Sequence, residues 1–162
     1  MIKNPDGDIK MVTKATLCYV VKDGKVLLIK KKRGIGAGKF NGPGGRIEEG
    51  EDVISSAVRE VKEELGITPM NVELIGLNKF TINRSPFMDV YVLKASDFIG
   101  EPRETDEAIP HWFDVSALPF DNMWKDDPFW MPLMLEGKRF MGKFDFTSMF
   151  EELVYHKIEE IQ

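Results

Sequence analysis

A glycine-dense loop that runs directly into an amphipathic helix constrains this chain more than any other feature. Six of the twelve residues from 34 to 45 are glycines, and Gly42-Pro43-Gly44-Gly45 can bring bare backbone close to a ligand. Over residues 51–65, apolar side chains recur at helical spacing, and Gly66 follows as a stop signal. The apolar positions, which span about 140° of the helix, are Val53, Ile54, Ala57, Val58, Val61 and Leu65. The sequence therefore predicts a helix over 51–65.

The predicted helix has three glutamates along one edge of its apolar face. Glu60, Glu63 and Glu64 are three and four residues apart, so they project from a strip roughly 100° wide. One interpretation is an ordinary solvated face, in which Arg59 and Lys62 offset the repulsion between like charges. The other is a site for a hard cation such as Mg²⁺, because carboxylates beside an exposed backbone carbonyl supply oxygen ligands. The neighbouring glycine turn favours the second interpretation, and with it phosphate chemistry.

The rest of the chain predicts mixed strands and a second, shorter helix. Apolar runs at 16–21 and 26–29 flank Asp23-Gly24, which is a strong signal for a tight hairpin. We expect an N-terminal tail over residues 1–13 and one domain over 14–162, with a sheet covered on both faces. The remaining predicted elements are strands over 72–82, 87–95, 111–115, 139–146 and 153–158, a turn at 83–86 and a helix over 128–136.

Composition and charge exclude several classes of protein. A chain of 162 residues can bury a core without a structural metal, and its one cysteine, Cys18, excludes a disulfide framework. The net charge of −5 argues against nucleic-acid and membrane partners. No segment resembles a membrane span or a signal peptide, so we expect a cytoplasmic protein. We also expect a monomer.

One spacing reaches beyond these local patterns. Gly45 is followed after five residues by Glu51 and after seven more by Arg59, which opens the glutamate cluster. The defined positions are Gly45, Glu51, Arg59, Glu60, Glu63, Glu64 and Gly66, with aliphatic residues at Val61 and Ile67. This pattern resembles the signature of the Nudix hydrolases at every defined position. The resemblance implies an α/β/α sandwich with a mixed central sheet, whose loop-helix-loop binds divalent metal and hydrolyses a nucleoside diphosphate linked to another group. It also implies that Gly45, Glu51, Arg59 and Gly66 hold that motif in shape.

The same resemblance implies the metal ligands and the catalytic groups. The ligands are Glu60, Glu63, Glu64 and the Gly44 carbonyl, with Mg²⁺ as the cofactor and Mn²⁺ as an alternative. The catalytic base lies within the same acidic group, whose pKa values belong to the cluster rather than to one residue. Glu107 matches a downstream glutamate that the family often uses as ligand or base. An ordinary acidic surface loop is the alternative for Glu107.

Segments outside the signature point to the substrate. Residues 31–42 and 120–133 resemble the animal-type MutT homologues, which are oxidised purine nucleoside triphosphatases that act on 8-oxo-dGTP. This resemblance implies Mg²⁺-dependent hydrolysis of 8-oxo-dGTP, or a related oxidised purine nucleoside triphosphate, to the monophosphate and pyrophosphate in nucleotide-pool sanitation. Pro43 and Lys125 depart from the animal pattern, and a Nudix pyrophosphatase for ADP-ribose or a dinucleotide is the alternative. A non-hydrolytic Nudix nucleotide sensor is a further alternative, against which the intact glutamates argue.

The resemblance places a base pocket around Trp124, Asp126 and Asp127. An indole offers a flat stacking surface, and two adjacent carboxyls can accept hydrogen bonds from a base edge or, with one protonated, donate one. The alternative is that an aspartate caps the helix ahead of Pro128 while Trp124 packs in the core. The remaining candidate substrate contacts are Thr16, Lys31, Asn41, Phe80 and Met88. An ordinary turn is the alternative for Asn41, and a solvated strand end is the alternative for Lys31.

Overall fold

The computed structural model describes residues 2–3, 9–10 and 12–162. The strands are β1 (Ile2–Lys3), β2 (Ile9–Lys10), β3 (Thr13–Lys22), β4 (Lys25–Lys31), β5 (Phe40–Asn41), β6 (Gly44–Arg46), β7 (Thr68–Met70), β8 (Glu73–Ile82), β9 (Ser85–Ala95), β10 (Asp97–Ile99), β11 (Ala108–Asp114), β12 (Arg139–Phe146) and β13 (Leu153–Ile161). The helices are α1 (Val53–Leu65) and α2 (Asp127–Leu135), with 3-10 turns at Phe120–Asn122 and Ser148–Phe150. Much of the predicted tail over 1–13 lies outside the described residues, so that boundary stays a prediction.

The hairpin between β3 and β4 opens into a wedge that holds the glycine-dense loop. Asp23 and Gly24 have φ angles of 53° and 75°, as a tight hairpin turn requires. β3 and β4 pair only at Val21↔Val26 and Lys22↔Lys25, and then diverge. In the gap, β5 pairs with β4, and β6 pairs with β3. The strand pairing therefore fixes the backbone of the predicted ligand-binding turn.

The central sheet is mixed and has a helix on each face. Its order is β11-β4-β3-β9-β8-β12-β13, with β3–β9 and β8–β12 parallel and the other neighbours antiparallel. Alternate residues of β3 enter opposite cores: Cys18 packs with the buried residues of α1, whereas Tyr19 packs with those of α2. This arrangement confirms the predicted α/β/α sandwich. No helix of the described residues is long and apolar enough to cross a membrane.

Two local expectations require correction. α1 starts at Val53 rather than residue 51, because the Asp52 carboxylate caps it by accepting the Ser55 N–H at 2.8 Å. Ile54, predicted on the buried face, is 46% exposed, because the sheet covers only the Ala57, Val61 and Leu65 side of the helix.

The turn after β8 is also shorter than the predicted segment 83–86. It contains only Asn83 and Arg84, with φ angles of 49° and 69°, and β9 already starts at Ser85. The Asp145 carboxylate on β12 accepts the Arg84 N–H at 2.8 Å, and the Phe146 carbonyl accepts the Asn83 N–H at 2.8 Å. These contacts from a distant strand hold a turn without glycine in the left-handed region.

Candidate active site

A cavity of about 490 Å³ lies where β3 and β4 diverge. It is lined by all the residues predicted to be catalytic, to bind metal or to contact substrate, namely Thr16, Lys31, Asn41, Gly44, Glu60, Glu63, Glu64, Phe80, Met88, Glu107, Trp124, Asp126 and Asp127. Two ends of the cavity differ in chemistry. We call the part beside α1 and β6 the charged end, and the part beside residues 124–127 and the aromatic side chains of β8, β9 and β12 the aromatic end.

Arg59, at the middle of α1, organises the charged end. Its guanidinium donates two hydrogen bonds to the Glu51 carboxylate, at 2.7 and 3.0 Å, and a third to Glu60 at 2.8 Å. It also donates to the Arg46 carbonyl at 3.2 Å, which joins the helix to β6. The arginine lowers the pKa of Glu51 to about 2, chiefly through the hydrogen bonds. The loop before α1 and the strand β6 are thus tied to one side chain.

Two glycines of β6 lie against the glutamates of α1. The Gly44 N–H donates to Glu64 at 3.0 Å. The Glu60 carboxylate lies so close to Gly45 that a Cβ there would be 2.5 Å from its carboxyl carbon. A side chain on Gly44 would meet the Thr16 carbonyl oxygen at 1.8 Å. Gly44 therefore has no room for a side chain, a side chain on Gly45 would displace the Glu60 carboxylate, and Gly66 adopts a positive φ of 73° after α1.

Glu60 and Glu64 are half-buried, and burial disfavours their ionised forms. Burial raises the pKa of Glu64 to about 7, with the nearby Glu60 and Glu107 charges adding to the shift. Burial also raises the pKa of Glu60, although its hydrogen bond with Arg59 opposes this. A positive charge in this part of the cavity would stabilise both anions. Glu63, by contrast, is 59% exposed at the cavity rim.

The donor set at the charged end fits a hard divalent cation in type and location. Carboxylate oxygens of Glu60, Glu63 and Glu64 and the backbone of Gly44 all line one cavity, and its lining residues include no cysteine or histidine. Over the described part of the chain, no three acidic, histidine or cysteine side chains already converge into a closed metal site. Arg59 and the Gly44 N–H engage two of the carboxylates instead.

Lys31 and Glu107 lie at the rim of the charged end. Lys31 is close enough to the two acids that its charge lowers the pKa of both Glu64 and Glu107. Glu107 is half-exposed and forms an ion pair with Arg33 at 2.7 Å, which is the largest cause of its lowered pKa. Glu107 lines the cavity, and its role as ligand or base stays a prediction.

The aromatic end contains two buried aspartates. Asp126 accepts a hydrogen bond from Trp130 Nε1 at 2.9 Å, whereas Asp127 Oδ2 has no hydrogen-bond partner among the described residues. Burial raises the pKa of both carboxyls, and the Asp126 charge raises the pKa of Asp127 further. Neither side chain caps α2, which excludes the capping alternative. An orphaned carboxyl oxygen therefore remains available at the cavity.

Trp124 is half-buried between the glycine-dense loop and the far wall of the cavity. Gly36 lies so close that a Cβ would be 2.8 Å from Trp124 Cζ2, and Lys39 Nζ is 5.7 Å from the ring centroid. The Phe150 ring meets the indole edge-on, with centroids 5.2 Å apart. Asn41 Oδ1 accepts the Gly42 N–H at 2.9 Å, so its amide is fixed beside the cavity. Trp124 therefore belongs to the cavity wall rather than to the core.

Sequence reasoning missed several apolar side chains of the cavity. The additional aromatic and aliphatic lining residues are Ala15, Leu17, Ile29, Ile35, Phe87, Val90, Phe146 and Phe150. Alternation along β12, which places Phe140, Phe144 and Phe146 on one face, could have indicated Phe146. Phe150 lies in a 3-10 turn after that strand, where no periodic pattern indicates the direction of its side chain.

An acidic helix and a set of aromatic side chains thus line one cavity of about 490 Å³. A model of the NUDIX domain matches residues 11–134. The chain belongs to the Nudix hydrolase family. Members of this family generally use a divalent metal such as Mg²⁺ and act on small nucleotide substrates. The expected family, fold class and enzyme class are thereby confirmed.

Similar proteins extend the match over most of the chain. The oxidized purine nucleoside triphosphate hydrolase of Danio rerio is 47% identical over 148 residues, which cover 91% of this chain and 94% of the relative. The Mus musculus protein of the same name is 40% identical over 147 residues, covering 90% and 94%. A MutT protein structure from Bacillus halodurans superposes with a TM-score of 0.82 at 28% identity, covering 91% of this chain and 98% of that one.

Proposed function

We propose that this protein hydrolyses 8-oxo-dGTP, or a related oxidised purine nucleoside triphosphate, to the monophosphate and pyrophosphate. The observation that supports this most directly is that helical glutamates and a buried aspartate pair line a single cavity. One end suits a metal and phosphates, and the other suits a flat, polar-edged base. The two vertebrate relatives named oxidized purine nucleoside triphosphate hydrolase support the substrate class. The physiological role of the reaction would be to remove damaged nucleotides from the precursor pool.

At the charged end, Glu60, Glu63, Glu64 and the Gly44 carbonyl would hold Mg²⁺. The cation supplies neutralisation of the phosphate oxygens and orientation of the attacking water. Lys31 would add a positive charge for the phosphates, while Arg59 keeps Glu51, Glu60 and β6 in place. One acidic side chain of this end, with Glu107 as a candidate, would accept the proton of the water.

At the aromatic end, Asp126 and Asp127 would recognise the base edge while Trp124 supplies a stacking surface. Because both carboxyls have raised pKa values, one of them is protonated more readily than a surface aspartate. A protonated carboxyl donates a hydrogen bond and its ionised neighbour accepts one. Asn41, Thr16, Phe80 and Met88 would complete the contacts. We propose a monomer for the active form, since one chain contributes every group named here.

The test is a substrate panel in the presence of Mg²⁺. The panel contains 8-oxo-dGTP, 2-hydroxy-dATP, dGTP, ADP-ribose and a dinucleoside polyphosphate, with products resolved by chromatography and kcat/KM compared. We expect the oxidised purine triphosphates to be preferred and pyrophosphate to be released. Mn²⁺ in place of Mg²⁺ and a chelator control establish the metal requirement.

Other outcomes of the panel assign the alternatives. Preferential cleavage of ADP-ribose or the dinucleotide would retain the metal site and reject the proposed base specificity. Binding of nucleotides without any turnover would instead establish the sensor. A size-exclusion measurement on the active fraction checks the monomer.

A further inference from the structure

The segment that joins β12 to β13 contributes one phenylalanine, Phe150, to the wall of the aromatic end. The Phe150 ring lies 5.2 Å from Trp124, 5.3 Å from Phe87 and 5.4 Å from Phe146, measured between ring centroids. These three neighbours come from the segment before α2, from β9 and from β12. Phe150 also lines the cavity. It is therefore the residue through which three walls of the aromatic end meet.

The backbone of Phe150 is held in a conformation that a bulky residue rarely adopts. Its φ of 59° is in the left-handed region, where the side chain crowds the backbone. Thr147 and Glu152 lock the segment by two hydrogen bonds of 2.9 Å, and the Thr147 carbonyl accepts the Phe150 N–H at 3.1 Å. Surrounding contacts thus maintain an unfavourable backbone geometry, and the result is a ring directed at the cavity.

Two further side chains attach this segment to the cavity walls. Lys125, adjacent to Trp124, donates from Nζ to the carbonyl of Glu151, the residue after Phe150. Asn83, in the turn between β8 and β9, donates from Nδ2 to Ser148 Oγ at 3.0 Å. The position of Phe150 is therefore coupled to the segment that contains Trp124 and to the hairpin that contains Phe87.

We propose that Phe150 is a specificity-determining residue of the base site and that Lys125 is its positioning residue. This inference rests on the proposed function. Phe150 meets Trp124 edge-on, so it limits the width of the base site and gives the base a second aromatic contact. A two-ring purine fills such a site, whereas a pyrimidine leaves a gap, and contact energy falls steeply with a gap. Phe150 therefore favours purine over pyrimidine nucleotides.

The test compares four variants by kinetics and by binding. Phe150→Ala removes the ring, Phe150→Tyr retains it, and Lys125→Met retains the aliphatic stem but loses the donor. Lys143→Met, at an exposed lysine of β12, is the matched control. We measure kcat and KM for 8-oxo-dGTP and for dCTP with Mg²⁺. We also measure the affinity for 8-oxo-dGMP by calorimetry without metal, since this ligand has the base but no pyrophosphate.

Phe150→Ala should raise KM for 8-oxo-dGTP and Kd for 8-oxo-dGMP by about tenfold, within the range of a lost base–aromatic contact. Its kcat should stay within about twofold, and its preference for 8-oxo-dGTP over dCTP should fall. Lys125→Met should move KM in the same direction by about threefold, as expected when the loss of one hydrogen bond repositions the ring. Lys143→Met should resemble the wild type, and Phe150→Tyr, which retains the ring, should retain the preference for 8-oxo-dGTP over dCTP.

Unchanged KM, Kd and preference in Phe150→Ala would overturn the inference while leaving the proposed function intact. A fall in kcat with constant KM would overturn it as well, because that result assigns Phe150 to the charged end. If Phe150→Ala does not fold, as judged by circular dichroism, Lys125→Met decides through the same ratios. A wild type that neither binds nor hydrolyses oxidised purine nucleotides would reject the proposed function, and the inference with it.

Discussion

Both ends of the cavity contain carboxyl groups whose pKa is raised by burial, but cationic side chains oppose the shift only at the charged end. At the charged end, Glu51 has the Arg59 guanidinium as its partner, and its pKa falls to about 2. At the aromatic end, Asp126 and Asp127 are buried beside an indole N–H, with no cationic side chain among their pKa-determining neighbours, and their pKa values rise. Arg59 thus keeps Glu51 ionised and opposes the rise of the Glu60 pKa, whereas the carboxyls at the aromatic end can serve as protonatable hydrogen-bonding groups.

The difference follows from the elements that present these residues. α1 is an amphipathic helix, so its glutamates lie at the border between core and solvent, within reach of arginine and water. Asp126 and Asp127 lie at the entry to α2, whose residues Trp130, Met131 and Met134 are fully buried. A carboxyl group at that position is enclosed by apolar side chains, which disfavours its charged form.

The largest expected effect is a loss of kcat in variants of the charged end. Glu64→Gln and Glu63→Gln should each lower kcat by at least about 100-fold, because an amide is a poor metal ligand and no base. KM should change much less, since the aromatic end is untouched. Steady-state kinetics on 8-oxo-dGTP measure this, with Glu73→Gln at an exposed position of β8 as the control. Near-normal turnover in both variants would remove these residues from the metal site.

An intermediate effect breaks the aromatic end. Asp127→Ala should raise KM for 8-oxo-dGTP by about tenfold or more, because a base donor or acceptor loses its buried partner. Its kcat should stay within about threefold, the reverse of the pattern at the charged end. Asp121→Ala, at an exposed aspartate nearby, is the control. A loss confined to kcat would show that the two ends are not separable.

A smaller effect concerns stability and pH at the aromatic end. Because the folded protein raises the pKa values of Asp126 and Asp127, it binds more protons than the unfolded chain above about pH 4. Their contribution to stability is full below that pH and is lost as pH rises through the folded pKa values. The double variant Asp126→Asn with Asp127→Asn should lack this decline. Urea midpoints between pH 4 and 8 test this, and parallel curves for the two proteins would contradict it.

The smallest expected effect concerns the contribution of Glu51, at the charged end, to stability. The pKa of Glu51 is lowered in the folded state, so its contribution to stability is present above the ordinary glutamate pKa of about 4.3 and is lost as pH falls towards 2. Glu51→Gln should have a modestly lower urea midpoint than the wild type at pH 7, and the difference should shrink below pH 4. Glu101→Gln at an exposed site is the control. A difference that persists at pH 2 would assign the effect to packing rather than charge.

The charged end was predictable because its information is local in the sequence. Helical spacing places Glu60 and Glu64 on one edge of α1, and the glycines before it announce a close backbone approach. The register of β6 against β3 was not predictable, because strands of two or three residues are defined by their partners rather than by propensity. For the same reason, the divergence of β3 and β4 around these short strands was not predicted.

The aromatic end was predicted only in part. Trp124, Asp126 and Asp127 came from resemblance to a family, whereas composition alone left capping and core packing open. Phe87 and Phe150 were missed because their positions depend on contacts between segments about 60 residues apart in the sequence. Ile54 was misplaced because the hydrophobic arc of a helix shows which side can be buried, not how much of it the sheet covers.

The strand β13 also bears on how the protein behaves when concentrated. This strand of nine residues pairs with β12 and is the last strand in the sheet order. Its Val154 and Tyr155 side chains are exposed. An open strand edge of this kind is a template for a strand of another molecule. On the same strand Lys157 pairs with Glu159 at 3.0 Å and Glu160 adds a negative charge, and in a chain of net charge −5 the repulsion between two copies weakens as salt is added. A concentrated sample should therefore associate more readily through this edge as the ionic strength rises. Light scattering measured against salt concentration would reveal this.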